Sequence, residues 1–118
     1  MDELIDGVPI LRLFKARALP GRQAELGAKL ATVSAELVSA QPGFLGYLAA
    51  GPAADGARDF AFISIWSSFS AMKALFGESW RDSLLPPGYA ALIESHSVEH
   101  YHLTDKASRE LSVLRRGE

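Results

Sequence analysis

The stretch DFAFISIW, Asp59 to Trp66, followed by SSFSAMKALFG, Ser67 to Gly77, decides the fold. In its first half Phe60, Phe62, Ser64 and Trp66 alternate with Ala61, Ile63 and Ile65, so both faces of a strand carry apolar side chains. A period of two with apolar residues on both sides predicts a central strand covered on both faces. In the second half the period lengthens. Ser67-Ser68 offers an N-cap, and Phe69, Met72, Leu75 and Phe76 follow at helical spacing until Gly77 ends the helix.

Working outward from that unit, Phe44 to Ala50 predicts a strand. It joins the central strand through GPAADGA, Gly51 to Ala57, which holds turn formers and little to bury, so a hairpin is expected. Further upstream, Val8 to Leu19 predicts another two-faced strand, with Pro9 at its start and Pro20-Gly21 breaking it. Between them Arg22 to Ala40 predicts a long helix. Leu26, Leu30, Val33 and Leu37 form its apolar stripe, and Pro42-Gly43 closes it. Downstream, Glu78 to Leu85 reads as irregular or as a helical turn, and Pro86-Pro87-Gly88 as a break. Tyr89 to Glu94 then reads as a helical turn, and Ser97 to Thr104 as a fourth strand. The order β-α-β-β-α-β is the split pattern of an α+β, ferredoxin-like domain with a four-stranded antiparallel sheet. Two helices cover one face of such a sheet. Apolar residues on the other face therefore predict a homodimer. The expected organisation is one domain over residues 1–105 and a charged C-terminal tail over 106–118.

Composition narrows the function classes. With 118 residues there is one core, and a formal charge of −2 gives no general attraction for nucleic acid. Cys is absent, so thiolate nucleophiles and Cys-based metal sites are excluded. No apolar run approaches the roughly 20 residues of a membrane span, and the N-terminus, MDELID, is acidic, the reverse of a signal peptide. A cytoplasmic protein with neither nucleic acid nor membrane as partner is the expectation. GxGxxG, P-loop, GxSxG and HExxH patterns are missing, which disfavours nucleotide enzymes, serine hydrolases and zincins.

Three pieces in order carry a family resemblance: Leu19-Pro20-Gly21 after the first strand, QPGFLGY (Gln41 to Tyr47) after the long helix, and FISIWSSFSAMKAL (Phe62 to Leu75). Over roughly Ile10 to Thr104 the chain resembles the antibiotic biosynthesis monooxygenase (ABM) family of dimeric α+β barrels. The resemblance implies the fold and a dimer, and fold does not fix chemistry. In the haem-degrading branch the resemblance would call for a strand Asn, a helix Trp and an axial His. Phe14, Leu75 and Leu85 stand at or near those places. In the cofactor-independent branch, which oxygenates aromatic polyketides, it would call for an Asn, a Tyr and an Arg around a strand Trp. Trp66 is kept, Phe62 and Met72 occupy the Asn and Tyr places, Pro86 lies near the Arg place, and Arg81 is close to it.

The candidate site residues follow. His100 and His102 share a strand face, and with His96 they form a polar cluster suited to general acid–base work near neutral pH or to ordinary solvent-facing positions. His100 and His96 are the candidate bases; no metal site is expected, because further ligands are lacking. Arg12 shares the Phe14 face, and a buried Arg needs either a protein carboxylate, with Glu99 in reach, or an acidic ligand. Phe14, Phe62, Trp66, Met72 and Trp80 would edge a pocket for a small apolar or aromatic molecule, or simply fill a core. Trp80, in the irregular segment after Gly77, could belong to a lid. The function expected is a cofactor-independent monooxygenase-like protein binding a small aromatic or quinone-like molecule. Haem binding or degradation and a non-catalytic ligand-binding module are the alternatives.

Overall fold

The computed structural model describes residues 7–104, so the charged tail expected over 106–118 lies outside the described residues. Four strands, β1 (Ile10–Ala18), β2 (Phe44–Ala50), β3 (Asp59–Trp66) and β4 (Ile93–His102), form one sheet in the order β2-β3-β1-β4. Every neighbouring pair is antiparallel. With a long helix between β1 and β2 and a short helix (Phe69–Phe76) between β3 and β4, this is the ferredoxin-like α+β fold.

The registers assign each alternating set to a face. Ile10, Arg12, Phe14 and Ala16 lie opposite Trp66, Ser64, Phe62 and Phe60 on the helix side of the sheet, and these residues are buried. On the other side Leu11 and Leu13 pair with Ile65 and Ile63, next to Leu48 and Tyr101, which are exposed. Apolar residues thus occupy both faces, while the helices cover only one. Pro9 trims β1 at its start because it has no N–H to give, yet its carbonyl still accepts from Leu103 N–H at 3.0 Å.

Three expectations change. The fourth strand begins at Ile93, ahead of the expected Ser97, because Ile93 pairs with Ala18 across a register shift at the end of β1. The helical turn before it shrinks to a single 3₁₀ turn, Ala90–Leu92. The long helix also departs from its expected stripe. It runs as Gln23–Lys29, then a π-wound turn Leu30–Ser34, then Ala35–Ser39. A π turn holds an extra residue, so the inward phase slips by one position. Leu26 and Leu30 are buried as expected, but beyond the π turn the buried positions are Ala35 and Val38, and Val33 is 39% exposed.

The turn at Pro42-Gly43 fastens the sheet to the short helix. Gly43 has φ +83°, its carbonyl accepts from Ser67 N–H at 2.8 Å, and Ser68 Oγ caps the helix by accepting from Ala71 N–H. A Cβ on Gly43 would sit 2.5 Å from Ala71 Cβ, whereas one on Gly56, with φ +80°, would meet nothing. Gly43→Ala should therefore cost about 2 kcal/mol or more. Gly56→Ala should cost about 1 kcal/mol, the backbone contribution alone. Urea unfolding of the two variants beside the parent measures the difference, and equal losses would contradict the close approach.

Candidate functional site

The helix side of the sheet does not close completely. A cleft of about 450 Å³, counted to its open mouth, lies between β1 and β3 below and the long helix above. Phe14, Phe62 and Phe76 supply its aromatic walls, with Leu37 and Val38 from the helix and Leu84 and Pro86 at the connecting segment. It is narrow, with an enclosed volume of about 40 Å³. The slipped phase of the long helix is what brings Ser34 and Val38 to it. There Tyr89 Oη donates to the Lys29 carbonyl at 2.9 Å and lies 2.6 Å from Ser34 Oγ. A phenol has one proton, so Ser34 donates to Tyr89.

Arg12 is the charged residue of the lining. Its place opposite Ser64, the smallest side chain on that face of β3, leaves room for the guanidinium. It is 3% exposed, and its partners are all neutral. Nη1 donates to the Trp80 carbonyl and lies 3.0 Å from His100 Nε2, while Nη2 donates to the Asp82 carbonyl at 3.0 Å. The guanidinium carbon stands 3.7 Å from the centre of the Phe76 ring. Burial lowers its pKa to about 10, which leaves it charged at neutral pH.

Because a guanidinium only donates, His100 Nε2 must accept, and the neutral ring carries its proton on Nδ1. Burial, and then the charges of Arg12 and Arg81, depress the His100 pKa to about 4. Trp80 stands edge-on to His100 with ring centres 5.0 Å apart, and edge-on to Phe69 at 5.1 Å. Arg81 lies over its ring at 4.4 Å. The segment after the short helix is thus stitched to β1 and β4 through Arg12.

The structure brings Arg12, Phe14 and Phe62 to one cleft and gathers Arg12, His100 and Trp80 into one cluster. Trp66 and Met72 are fully buried core, and the Trp66 indole N–H donates to Ser64 Oγ at 2.9 Å. His96 is elsewhere: it is exposed, hydrogen-bonds Ser83 Oγ, and lines a hollow with Lys15, Arg17 and Asp59. Glu99 does not meet Arg12; it lies on the opposite sheet face, accepting from Tyr101. Ser34, Leu84 and Tyr89 line the cleft without having been expected there; nothing in the local sequence announces the π turn that positions Ser34. Among the described residues no group of three or more His, Asp or Glu side chains could hold a metal ion. Nor does the lining fit haem iron: it offers no His, Cys or Met ligand, and the Tyr89 phenol is engaged by Lys29 and Ser34.

The family model for "Antibiotic biosynthesis monooxygenase" matches residues 9–83. The chain belongs to the ABM family. Among solved structures it is similar to PA3566 from Pseudomonas aeruginosa, with TM-score 0.65 and 20% identity over 88% of this chain and 100% of that one. It is also similar to a candidate antibiotic biosynthesis monooxygenase from Chloroflexus aurantiacus, with TM-score 0.61 and 24% identity over 82% of this chain and 94% of that one. A variant of SnoaB, a cofactor-independent oxygenase from Streptomyces nogalater, matches with TM-score 0.56 and 17% identity over 83% of this chain and 93% of that one. At these identities the likeness is one of fold. No curated protein matches the chain. Among the described residues of this ABM chain no helix is long and apolar enough to cross a membrane.

The His100 environment predicts a pH dependence of stability. Its folded pKa of about 4 lies below its ordinary 6.5, so the unfolded chain binds the proton more readily between those values. The contribution is fully present above pH 6.5 and is lost as pH falls towards 4. Solvent screening of a half-buried ring keeps it on the order of 1–2 kcal/mol. Thermal melts from pH 7 to 4 should show a shallower decline for His100→Asn than for the parent, and parallel declines would refute the assignment.

Proposed function

We propose that this ABM chain is a cofactor-independent monooxygenase acting on a small aromatic, hydroquinone- or anthrone-like molecule held in the cleft. The observation that carries the reading is a cleft walled by the Phe14, Phe62 and Phe76 rings between the sheet and the long helix. Flat apolar molecules gain by burial against such walls, and a few polar groups orient them. The substrate supplies the electrons. A ring methylene becomes a carbonyl, giving up four electrons to one dioxygen; one oxygen atom forms the new C=O and the other leaves as water with the two displaced hydrogens.

The reaction needs an anion of the substrate that can hand an electron to oxygen, and then stabilisation of the reduced oxygen. Arg12 places a permanent positive charge at the cleft, where water is scarce and a fixed charge acts strongly. His100 serves as the acceptor that orients Arg12, a positioning role, since its Nε2 lone pair is already directed at the guanidinium. His96 faces another hollow and is assigned no step. Trp80 forms the cover over Arg12 and His100.

A homodimer completes the reading. Leu11, Leu13, Ile63 and Leu48 form the apolar sheet face that the helices leave uncovered, and a second copy placed sheet to sheet would bury it. Light scattering should give twice the 12.7 kDa chain mass, and Ile63→Glu should shift it to monomer. A monomeric parent at micromolar concentration would remove the claim.

Oxygen uptake tests the chemistry. A panel of hydroquinones and anthrones should include compounds consumed faster than their spontaneous oxidation, and Phe62→Leu should lower kcat/KM about tenfold. Compounds that raise the melting temperature without oxygen uptake would replace the enzyme by a binding module on the same fold. Haem titration should give no Soret shift.

A further inference from the structure

Among the described residues the Arg12 charge has no counter-ion. Of the acidic residues on the neighbouring segments, Asp82 meets Arg12 through its backbone carbonyl, Glu99 faces the opposite side of the sheet, and Glu78 pairs with Lys73 at 3.5 Å. Among the described residues no Asp, Glu, Lys or His lines the cleft, and apart from Arg12 its side chains are apolar, hydroxyl or phenol. A cation buried among neutral dipoles and aromatic faces is costly unless a charge of opposite sign shares the site. The lining also lacks a side chain placed to take a proton from a bound molecule, because the neighbouring His100 Nε2 already accepts from Arg12. An ionised oxygen must therefore arrive with the ligand.

We propose that the cleft selects planar aromatic anions, a ring system bearing a carboxylate or an acidic phenolate, with the ionised oxygen held by the Arg12 guanidinium; this rests on the aromatic-cleft reading above. The fork geometry of a guanidinium suits either oxygen, and a charge-assisted bond is stronger than the bonds to carbonyls it would replace. Those carbonyls belong to Trp80 and Asp82. When the ligand oxygen takes their place, the segment carrying Trp80, Leu84 and Pro86 is loosened from β1, and the narrow cleft can widen at its mouth. Anion binding and admission of the ring are then one event.

Two matched pairs test this by calorimetry at pH 7 without turnover: 2-naphthoate against methyl 2-naphthoate, and 1-nitro-2-naphtholate against its methyl ether. In the parent at least one anion should bind tenfold or more tightly than its neutral partner. In Arg12→Gln that ratio should fall to about one while the neutral compounds still bind. A preference confined to one pair tells carboxylate from phenolate. Equal affinities within both pairs in the parent, or a preference that survives in Arg12→Gln, would overturn the inference and leave the aromatic-cleft reading standing. If none of the four compounds binds, both readings fall. Should Arg12→Gln not fold, the parent's own ratio still decides, and Arg12→Lys should keep part of the preference.

Discussion

One buried positive charge organises the functional half of this molecule. Arg12 sits in the second-from-edge strand of the sheet, opposite Ser64 on one side and His100 on the other. Neither neighbour is an acid, so the charge is solvated by dipoles: two backbone carbonyls, an imidazole nitrogen and the face of Phe76. Each of these belongs to a different part of the fold or of the segment that crosses it. The short helix ends at Phe76, the following segment supplies the carbonyls of Trp80 and Asp82, and β4 supplies His100. Replacing Arg12 by an apolar residue would remove a costly charge, yet it would also release these pieces from one another. The side chain therefore acts as a tether as much as a charge, which is why its loss must be read through ligand selectivity as well as through stability.

The second determinant is the π turn in the long helix. With regular α winding, Val33 and Leu37 would point at the sheet and the helix would pack as a plain amphipathic rod. The extra residue rotates the second half, turns Val33 outward, and sets Ser34 beside Tyr89. Tyr89 in turn reaches the Lys29 carbonyl at the start of the π turn, so the distortion and the phenol that satisfies it come as a pair. Tyr89 is 1% exposed, and desolvation raises its pKa, which keeps it a neutral donor. The cleft exists because this helix does not close down on Phe14 and Phe62.

How much of this could be read from the chain depends on the range of the interactions. Alternation in DFAFISIW, the cap at Ser68 and the glycine stop at Gly77 are local, and the elements they predict are present. Arg12 could be flagged because a long cation shares a strand face with Phe14 and Ala16, and that phase follows from the strand itself. Its partners could not be flagged, because carbonyls of residues 80 and 82 carry no signature in side-chain identity. His96 falls outside the strand expected from Ser97 and joins His100 only by nearness in sequence; β4 begins earlier, carries both on one face, and is long enough to set them at different places. Trp66 and Met72 illustrate the opposite limit. Large apolar side chains fill cores and edge pockets alike, and only the packing of the neighbouring helix shows these two to be interior.

The electrostatics of the Arg12–His100 pair set what kind of pH response the site can give. Two cations 3.0 Å apart would repel, and the pair avoids this by keeping the imidazole neutral down to about pH 4. Arg12 itself holds its proton up to about pH 10. Between those values neither group changes charge, so the pair carries one positive charge over the whole physiological range. A conventional acid–base enzyme places a group near pH 7 to accept and return protons. This pair does the reverse, since burial, and then the charges of Arg12 and Arg81, push the imidazole out of that window. Protonation of this pair therefore gives the site no switch near neutral pH, and the anion proposed for the cleft would have to arrive already ionised.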